Sequence, residues 1–310
     1  MALPPRLAML SRVHLADQAD HTLDIQYYLF HNDETGRAIL AAAIQAAERG
    51  VKVRLLLDDM DTPGLEQYLV RLADDYSNLQ VRLFNPFYLR HFRSIEFLAR
   101  FPRVTRRMHN KSYTVDNIAT LVGGRNVGNE YFDILTDVSF SDFDVLVAGS
   151  AVPKFTQSFN NYWYSGLAFD IAKVSQAASD TDYQQWQQQA SNDLQKLRKL
   201  VEHHKQDIDY YLTNNQDKRY LSTNTRAIYD PPDKVISSLF ERDKDNMTHD
   251  ILAVMDSAQQ ELWISSPYFI PGKEGMRLLR DLRERHVDIH ILTNSYASND
   301  VPAVHAAYMQ

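Results

Sequence analysis

The sequence predicts an α/β fold, in which a mixed sheet flanked by helices is built from a strand–helix–strand unit that occurs twice. Two observations predict it. Apolar runs of strand length alternate with a helical pattern near the start of the chain, and the same order returns near its end. Because the chain has 310 residues, it is long enough for about two domains that each bury a core.

The first repeat contains strands and helices in the order of a right-handed crossover between parallel strands. Gly50 follows the first helix and is expected to end it. In order, the predicted elements are strand Leu23–Phe30, helix Gly36–Arg49, strand Val51–Leu57, a helix near Gly64–Ala73 and strand Leu79–Phe84.

The second repeat shows the same pattern, which indicates an internal duplication. Its predicted elements are strand Glu261–Phe269, helix Gly275–Arg285 and strand Val287–Asn294. Between the repeats, residues 173–212 contain apolar side chains at helical spacing and few glycines or prolines. We therefore expect a first α/β domain over residues 1–166, a helical connector over 167–220 and the start of the second repeat over 221–310.

Composition limits the classes of function. Hydrophobic residues make up 44% of the chain and charged residues 24%, as in soluble globular proteins. A formal net charge of −7 argues against wrapping duplex nucleic acid. The absence of cysteine excludes disulfides and thiolate chemistry. No apolar run of about 18 residues occurs, so any contact with a membrane is expected to be peripheral.

His109, Lys111 and Asp116 form the pattern H-x-K-x-x-x-x-D in a segment that alternates like a strand. Side chains along a strand repeat every two residues, so His109 and Lys111 are expected on one face. A neutral imidazole can attack a phosphodiester phosphorus while a cation holds the charge of the transition state. The pattern therefore predicts His109 as nucleophile and Lys111 as the cation.

A predicted hairpin leads from this motif into a glycine-rich run. Gly123 and Gly124 would allow the backbone to approach a phosphoryl oxygen closely, and Asn126 would donate a hydrogen bond to it. Glu130 is a candidate to orient an imidazole by accepting from its second ring nitrogen. This chemistry needs no metal and no cofactor.

Segments along nearly the whole chain resemble the phospholipase D superfamily, in particular the C-type members of its bacterial cardiolipin synthase branch. They are Asp24–Tyr28, Arg54–Asp59, Arg82–Phe87, Arg107–Lys111, Gly123–Asn126, Glu130–Phe132 and Ser266–Pro271. The resemblance implies a catalytic role for His109, Lys111 and Asp116. It also implies two motifs that meet at one site, where the first histidine forms a phosphatidyl-enzyme and the second acts as general acid and then base.

The same resemblance implies a phosphatidyl transferase that acts on phosphatidylglycerol and phosphatidylethanolamine, at the bacterial inner membrane as a peripheral protein or in the cytoplasm. Basic and aromatic residues alternate in Arg90–Arg93 and Arg100–Arg107, as a surface for anionic headgroups would require. Asp58 and Asp59 end a strand, where either a substrate contact or a helix cap is expected. The candidate substrate-binding residues are Gly123, Gly124, Arg125, Tyr268, His305 and Arg107.

The chain contains a single copy of the motif, which leaves alternatives open. If Val51 matches Val287, the counterpart of His109 would fall at about position 345, beyond Gln310. The second repeat is therefore expected to be incomplete, and the chain to be a fragment, half of a homodimer or inactive. A phospholipase or nuclease that uses water instead of a lipid hydroxyl is the alternative chemistry, and the acidic charge does not favour nucleic acid.

Overall fold

A mixed sheet of seven strands, counted over the described residues, forms the centre of the first unit. The computed structural model describes residues 3–62, 64–87, 107–134, 140–203, 225–235 and 247–295, and it divides into the units Met1–Ser238 and Leu239–Gln310. In sheet order, the strands are β6 (Asp144–Ala148), β5 (Ala119–Gly123), β4 (Ser112–Val115), β1 (Thr22–Leu29), β2 (Lys52–Asp61), β3 (Leu79–Phe84) and β7 (Ala168–Asp170).

The central strands confirm the predicted α/β fold class. β1 pairs in parallel with β2, with Ile25 opposite Leu55, and β2 pairs in parallel with β3. β4 pairs antiparallel with both β1 and β5, so the predicted hairpin also forms. As a result, the carboxyl ends of β1 and β2 and the amino end of β4 lie at the same edge of the sheet.

Helices cover both faces of this sheet. The bounds are α1 (Pro5–Gln18), α2 (Glu34–Glu48), α3 (Glu66–Asp75), α4 (Val152–Trp163) and α5 (Asp180–His203), with short 3-10 turns at Asn129–Tyr131, Ile171–Lys173 and Pro232–Val235. The sequence patterns did not predict α1. Its buried residues run continuously from Leu7 to Val13 instead of along one face, so the helical period is hidden.

Two cores lie on opposite faces of the sheet because neighbouring side chains of a strand point in opposite directions. Leu55 and Leu57 of β2 enter the larger core, which α1, α2, α3 and α5 cover. Leu56 enters a smaller core together with Phe159 and Trp163 of α4. Met108, the residue before the proposed nucleophile, belongs to this smaller core and is fully buried.

The expected connector falls within the unit Met1–Ser238, and the expected domain boundaries at residues 166 and 220 remain predictions. β7 lies within the expected connector, and it extends the sheet by pairing with β3. α5 packs on the larger core through Trp186, and its Asp193 accepts from Arg37 of α2 at 2.7 Å. The sequence predicted the helix, but its docking depends on side chains far apart in the chain.

The second unit contains the predicted second strand–helix–strand pattern. β8 (Glu261–Ser265) and β9 (Asp288–Leu292) pair in parallel on either side of α7 (Gly272–Glu284), and α6 (Met247–Asp256) precedes them. That this unit is an incomplete repeat of the first remains a prediction. Among the described residues, no helix combines the length and the apolar character needed to cross a bilayer.

Candidate active site

His109 lies at the carboxyl edge of β1, where its ring stacks on that of Tyr28. The ring centroids are 4.0 Å apart, and the planes are inclined by 26°. Nδ1 of His109 lies 3.2 Å from the carbonyl oxygen of Arg107. Because a carbonyl oxygen can only accept, we assign the proton of the neutral ring to Nδ1. The lone pair then belongs to Nε2, which is the nitrogen able to attack.

Lys111 lies beside His109 and approaches the same aromatic ring. Its Nζ atom is 5.5 Å from the centroid of the Tyr28 ring and donates to the carbonyl oxygen of His109 at 2.8 Å. The structure thus brings together the two residues that strand spacing places on one face. Tyr28 was missed in the sequence, although alternation along β1 buries Tyr27 and turns Tyr28 to the opposite face.

The protonation of this pair suits a nucleophile beside a cation. Partial burial lowers the pKa of His109, and the positive charges of Lys111 and Lys234 act in the same direction. Burial also lowers the pKa of Lys111, to about 8, against the attraction of nearby carboxylates such as Asp142. Near neutral pH, His109 is therefore mainly neutral while Lys111 still carries its proton.

Asp58 holds the segment that leads into the site. Its buried carboxylate accepts from the backbone amide of Met108 at 2.9 Å, from that of Met60 at 3.0 Å and from Arg107 Nη1 at 3.2 Å. Arg107 also donates to the carbonyl oxygen of Asn85 at 2.8 Å and is itself buried. The expected contact of Arg107 with substrate is corrected: the side chain is part of an internal clamp.

Asp116 lies at the opposite edge of the sheet from His109. Its carboxylate accepts from the backbone amides of Asp20, His21 and Thr22, at 2.9, 2.7 and 2.7 Å. These amides lower its pKa, although partial burial acts in the other direction. β4 separates Asp116 from His109, and the contacts of its carboxylate anchor the start of β1. The expected catalytic role of Asp116 remains a prediction.

Gly123 and Gly124 pack closely against residues 142–144. A Cβ atom on Gly123 would collide with the carbonyl oxygen of Phe143 and with Asp144, and one on Gly124 would collide with the carboxylate of Asp142. The backbone at Gly123 therefore leaves no room for a side chain, whereas the clash at Gly124 is with a side chain. The expected role of both glycines in substrate binding remains a prediction.

Arg125 and Asn126 also point into the protein. Arg125 is 3% exposed, and its Nη1 lies 3.6 Å from the carboxylate of Asp144, which Arg12 also binds at 2.9 Å. The amide of Asn126 accepts from the backbone of Leu29 at 3.1 Å and donates to the hydroxyl of Tyr131 at 3.0 Å. The contacts of Asn126 join the segment after β5 to β1 and to the turn that follows. The expected roles of Arg125 and Asn126 toward substrate remain predictions.

Glu130 contacts an imidazole, but it is that of His31, at 3.2 Å. The ring of His109 instead contacts the carbonyl of Arg107, and the expected catalytic role of Glu130 remains a prediction. Among the described residues, His31, Asp33 and Glu130 have potential metal-ligand atoms within 4.8 Å of one another. Asp33 caps α2 by accepting from the amide of Gly36 at 3.0 Å, and it also accepts from the amide of Asn129 at 2.7 Å.

The remaining candidate residues lie in the second unit or outside the described residues. Tyr268 follows β8 in the second unit, where it is half-buried. His305 and the basic segments 90–93 and 100–106 lie outside the residues that the structure describes. Their expected contacts with substrate or lipid remain predictions.

Substitution of Asp116 tests its anchoring role. In Asp116→Asn, the free energy of unfolding should fall by about 1–2 kcal/mol, because an amide replaces an oxygen that accepts from backbone amides. The NMR titration of the His109 ring should stay unchanged. Urea unfolding measures the first quantity, with the exposed Asp20→Asn as control, and a shifted His109 titration would contradict the separation of the two residues.

Substitution of Asp58 tests the clamp, because this residue should make the free energy of unfolding depend on pH. Burial raises the pKa of Asp58 from 3.8 to about 7, against the attraction of Arg107. The folded chain therefore binds a proton that the unfolded chain has released, and the free energy of unfolding falls as pH rises between these two values. Urea unfolding across this range should show a smaller slope for Asp58→Asn than for wild type.

The control for that slope is Asp74→Asn, which removes one carboxylate at an exposed position of α3. Equal pH slopes for Asp58→Asn and the wild-type chain would show that Asp58 does not bind the extra proton.

The chain is similar to known proteins in sequence and in fold. The family model described as cardiolipin synthase, PLD-like domain, matches residues 13–163 and 251–310. Cardiolipin synthase C of Escherichia coli K12 is 38% identical over 305 residues, which cover 97% of this chain and 63% of that protein. An uncharacterized protein of Helicobacter pylori J99 is 31% identical over 317 residues, which cover 97% of this chain and 60% of that protein.

Among solved structures, the phosphatidylserine synthase of Haemophilus influenzae Rd KW20 has the same fold, with a TM-score of 0.58 at 15% identity. The match covers 97% of this chain and 64% of that one. The chain thus spans about three fifths of the length of the relatives that it matches. With the family model matching most of its residues, the chain belongs to the cardiolipin synthase family of the phospholipase D superfamily.

Proposed function

We propose that the chain transfers phosphatidyl groups between phospholipids through a phosphohistidine at His109. The observation that carries this proposal is the pairing of the Nδ1–H of His109 with the carbonyl of Arg107, beside the ammonium of Lys111. This contact leaves the lone pair on Nε2, and the lowered pKa keeps the ring neutral. A neutral nucleophile next to a cation is what displacement at an anionic phosphodiester requires.

The reaction proceeds in two displacements. Nε2 of His109 forms a bond to phosphorus while the bond from phosphorus to one alcohol oxygen breaks, and that oxygen takes a proton from a general acid. A second alcohol then loses a proton and attacks phosphorus, which releases His109 as the neutral ring. Lys111 compensates the charge on the nonbridging oxygens in both steps. The family resemblance implies that a second histidine supplies and accepts these protons.

The choice of lipids follows from the name of one relative, the cardiolipin synthase C of Escherichia coli K12. Phosphatidylglycerol is the acceptor in this proposal, because its headgroup carries a free hydroxyl, and phosphatidylglycerol or phosphatidylethanolamine is the donor. Such substrates place the protein at the surface of the bacterial inner membrane, as a peripheral protein. If two chains are needed to supply both histidines, the active form is a homodimer.

An aryl phosphodiester tests the first displacement without the second histidine, because an aryl oxide leaves without a proton. Mixing the chain with bis(p-nitrophenyl) phosphate should release up to one equivalent of nitrophenolate rapidly, and His109 should retain the phosphoryl group. His109→Asn should abolish both signals while its circular dichroism matches that of wild type. A folded wild-type chain that shows neither the burst nor a modified His109 would contradict the proposal.

Lipid vesicles then distinguish transfer from hydrolysis. With phosphatidylglycerol vesicles, mass spectrometry should detect cardiolipin and glycerol if a lipid hydroxyl is the acceptor. Phosphatidic acid as the main product would identify water as the acceptor and the chain as a phospholipase.

The rate of the aryl burst should depend on pH with two limbs. The rate should rise as His109 loses its proton, below the ordinary pKa of a histidine, and fall above about pH 8 as Lys111 becomes neutral. In Lys111→Arg, the guanidinium stays charged, so the alkaline limb should move to higher pH. Stopped-flow absorbance measures both profiles, and an alkaline limb that Lys111→Arg leaves in place would assign it to another group.

A further inference from the structure

Tyr28 lies at an irregular position of β1, directly beside the proposed nucleophile. The ladder between β1 and β2 pairs Tyr27 with Leu57 and then Leu29 with Asp61. β2 thus has three residues where β1 has only Tyr28. Irregularities of this kind redirect side chains at the edge of a sheet, and they are common next to active sites.

Contacts with other segments hold the backbone on both sides of Tyr28. The hydroxyl of the preceding residue, Tyr27, is buried and accepts from Arg12 Nε at 2.8 Å. The backbone amide of the following residue, Leu29, donates to the side chain of Asn126 at 3.1 Å. These contacts hold Tyr28 in place without any contribution from a substrate, as a preorganised site requires.

The ring of Tyr28 covers one face of the His109 imidazole. With centroids 4.0 Å apart and planes inclined by 26°, the two rings are stacked rather than edge to face. The contact of Nδ1 with the carbonyl oxygen of Arg107, at 3.2 Å, directs the imidazole within its own plane. Because the lone pair of Nε2 lies in that plane, a phosphorus atom can approach it without displacing Tyr28.

We propose that the π face of Tyr28 stabilises the positive charge that His109 acquires when it attacks phosphorus. This inference rests on the proposed function and deepens it by adding a catalytic residue. The lone pair of Nε2 forms the bond to phosphorus, and the electrons of the breaking bond leave with the alcohol oxygen. Nδ1 keeps the proton that it shares with the carbonyl of Arg107, so the phosphorylated ring carries one positive charge.

The distances suit an attraction between a cation and an aromatic face. Such an attraction acts within about 6 Å of the ring centroid. The His109 ring is 4.0 Å from the centroid of Tyr28, and Nζ of Lys111 is 5.5 Å from it. A neutral imidazole gains little from this attraction, whereas a positively charged one gains more. Since the interaction strengthens as the bond to phosphorus forms, it lowers the barrier instead of only binding the substrate.

Fluorinated phenylalanines at position 28 separate the charge of the ring face from its shape. The aryl burst should stay within about threefold of the wild-type rate in Tyr28→Phe, which keeps the negative face. With trifluorophenylalanine at position 28, the burst should be about tenfold slower than in Tyr28→Phe, because fluorine withdraws electrons from the face. Stopped-flow absorbance measures the rates, and circular dichroism checks the fold.

Tyr76 provides the matched control. It is half-buried like Tyr28, but it follows α3 at the opposite edge of the sheet. The same two replacements at position 76 should leave the burst at the wild-type rate.

Titration of His109 provides a second readout that needs no turnover, since protonation places the same charge on the ring. Fluorination at position 28 should lower the pKa of His109 relative to Tyr28→Phe, because the charged ring loses a stabilising contact. NMR of the His109 ring protons measures this pKa, and the replacements at position 76 should leave it unchanged.

A burst rate and a His109 titration that are both insensitive to fluorination at position 28 would overturn the proposal. A burst already lost in Tyr28→Phe, with no further loss on fluorination, would assign the effect to the hydroxyl and also overturn it. If the titration shifts as expected but the wild-type chain gives no aryl burst, Tyr28 still stabilises a charged His109 and the proposed function fails.

Discussion

The buried carboxylate of Asp58 is the constraint on which the geometry of the site depends. It ends the apolar part of β2 and binds both Met108, through the backbone, and Arg107, through the guanidinium. Arg107 in turn binds the carbonyl of Asn85, just after β3. Three segments distant in the sequence therefore meet at one group, and the carbonyl of Arg107 is held where it contacts the ring of His109. Burial raises the pKa of Asp58 to about 7, and the charge of Arg107 and the backbone amides that donate to its oxygens oppose part of this cost.

The electrostatics of the site are local and differ from those of the whole chain. The formal net charge is −7, yet the charges that act on His109 are the cations Lys111, Lys234 and Arg107. Carboxylates, chiefly Asp142, act on Lys111 and oppose the loss of its proton in a partly buried position. As a result, His109 is neutral while the adjacent Lys111 is charged. The proposed reaction uses this pair and no metal ion. Overall composition excludes some partners but says little about such a cluster.

The sequence was informative where a short-range pattern predicts the structure. It was less informative where one residue type can serve either packing or substrate binding. Alternation placed His109 and Lys111 together, and apolar runs located β1, β2 and β3. The glycines at positions 123 and 124 were interpreted as a phosphate-binding backbone, and the structure shows them packed against residues 142–144. Asp116 was interpreted as catalytic from its spacing, and its carboxylate accepts from the amides of residues 20–22 at the other edge of the sheet.

By itself, the sequence determined the fold class, the strand–helix–strand pattern in each unit and the family, because these depend on periodicity and on short motifs within one segment. Only the tertiary structure decided which side chains meet at the site. Tyr28 and Asp58 come from two different strands, and no pattern within either strand indicates a role beside His109. Their proximity results from parallel strands that end at a common edge, which is a long-range contact that local residue patterns do not encode.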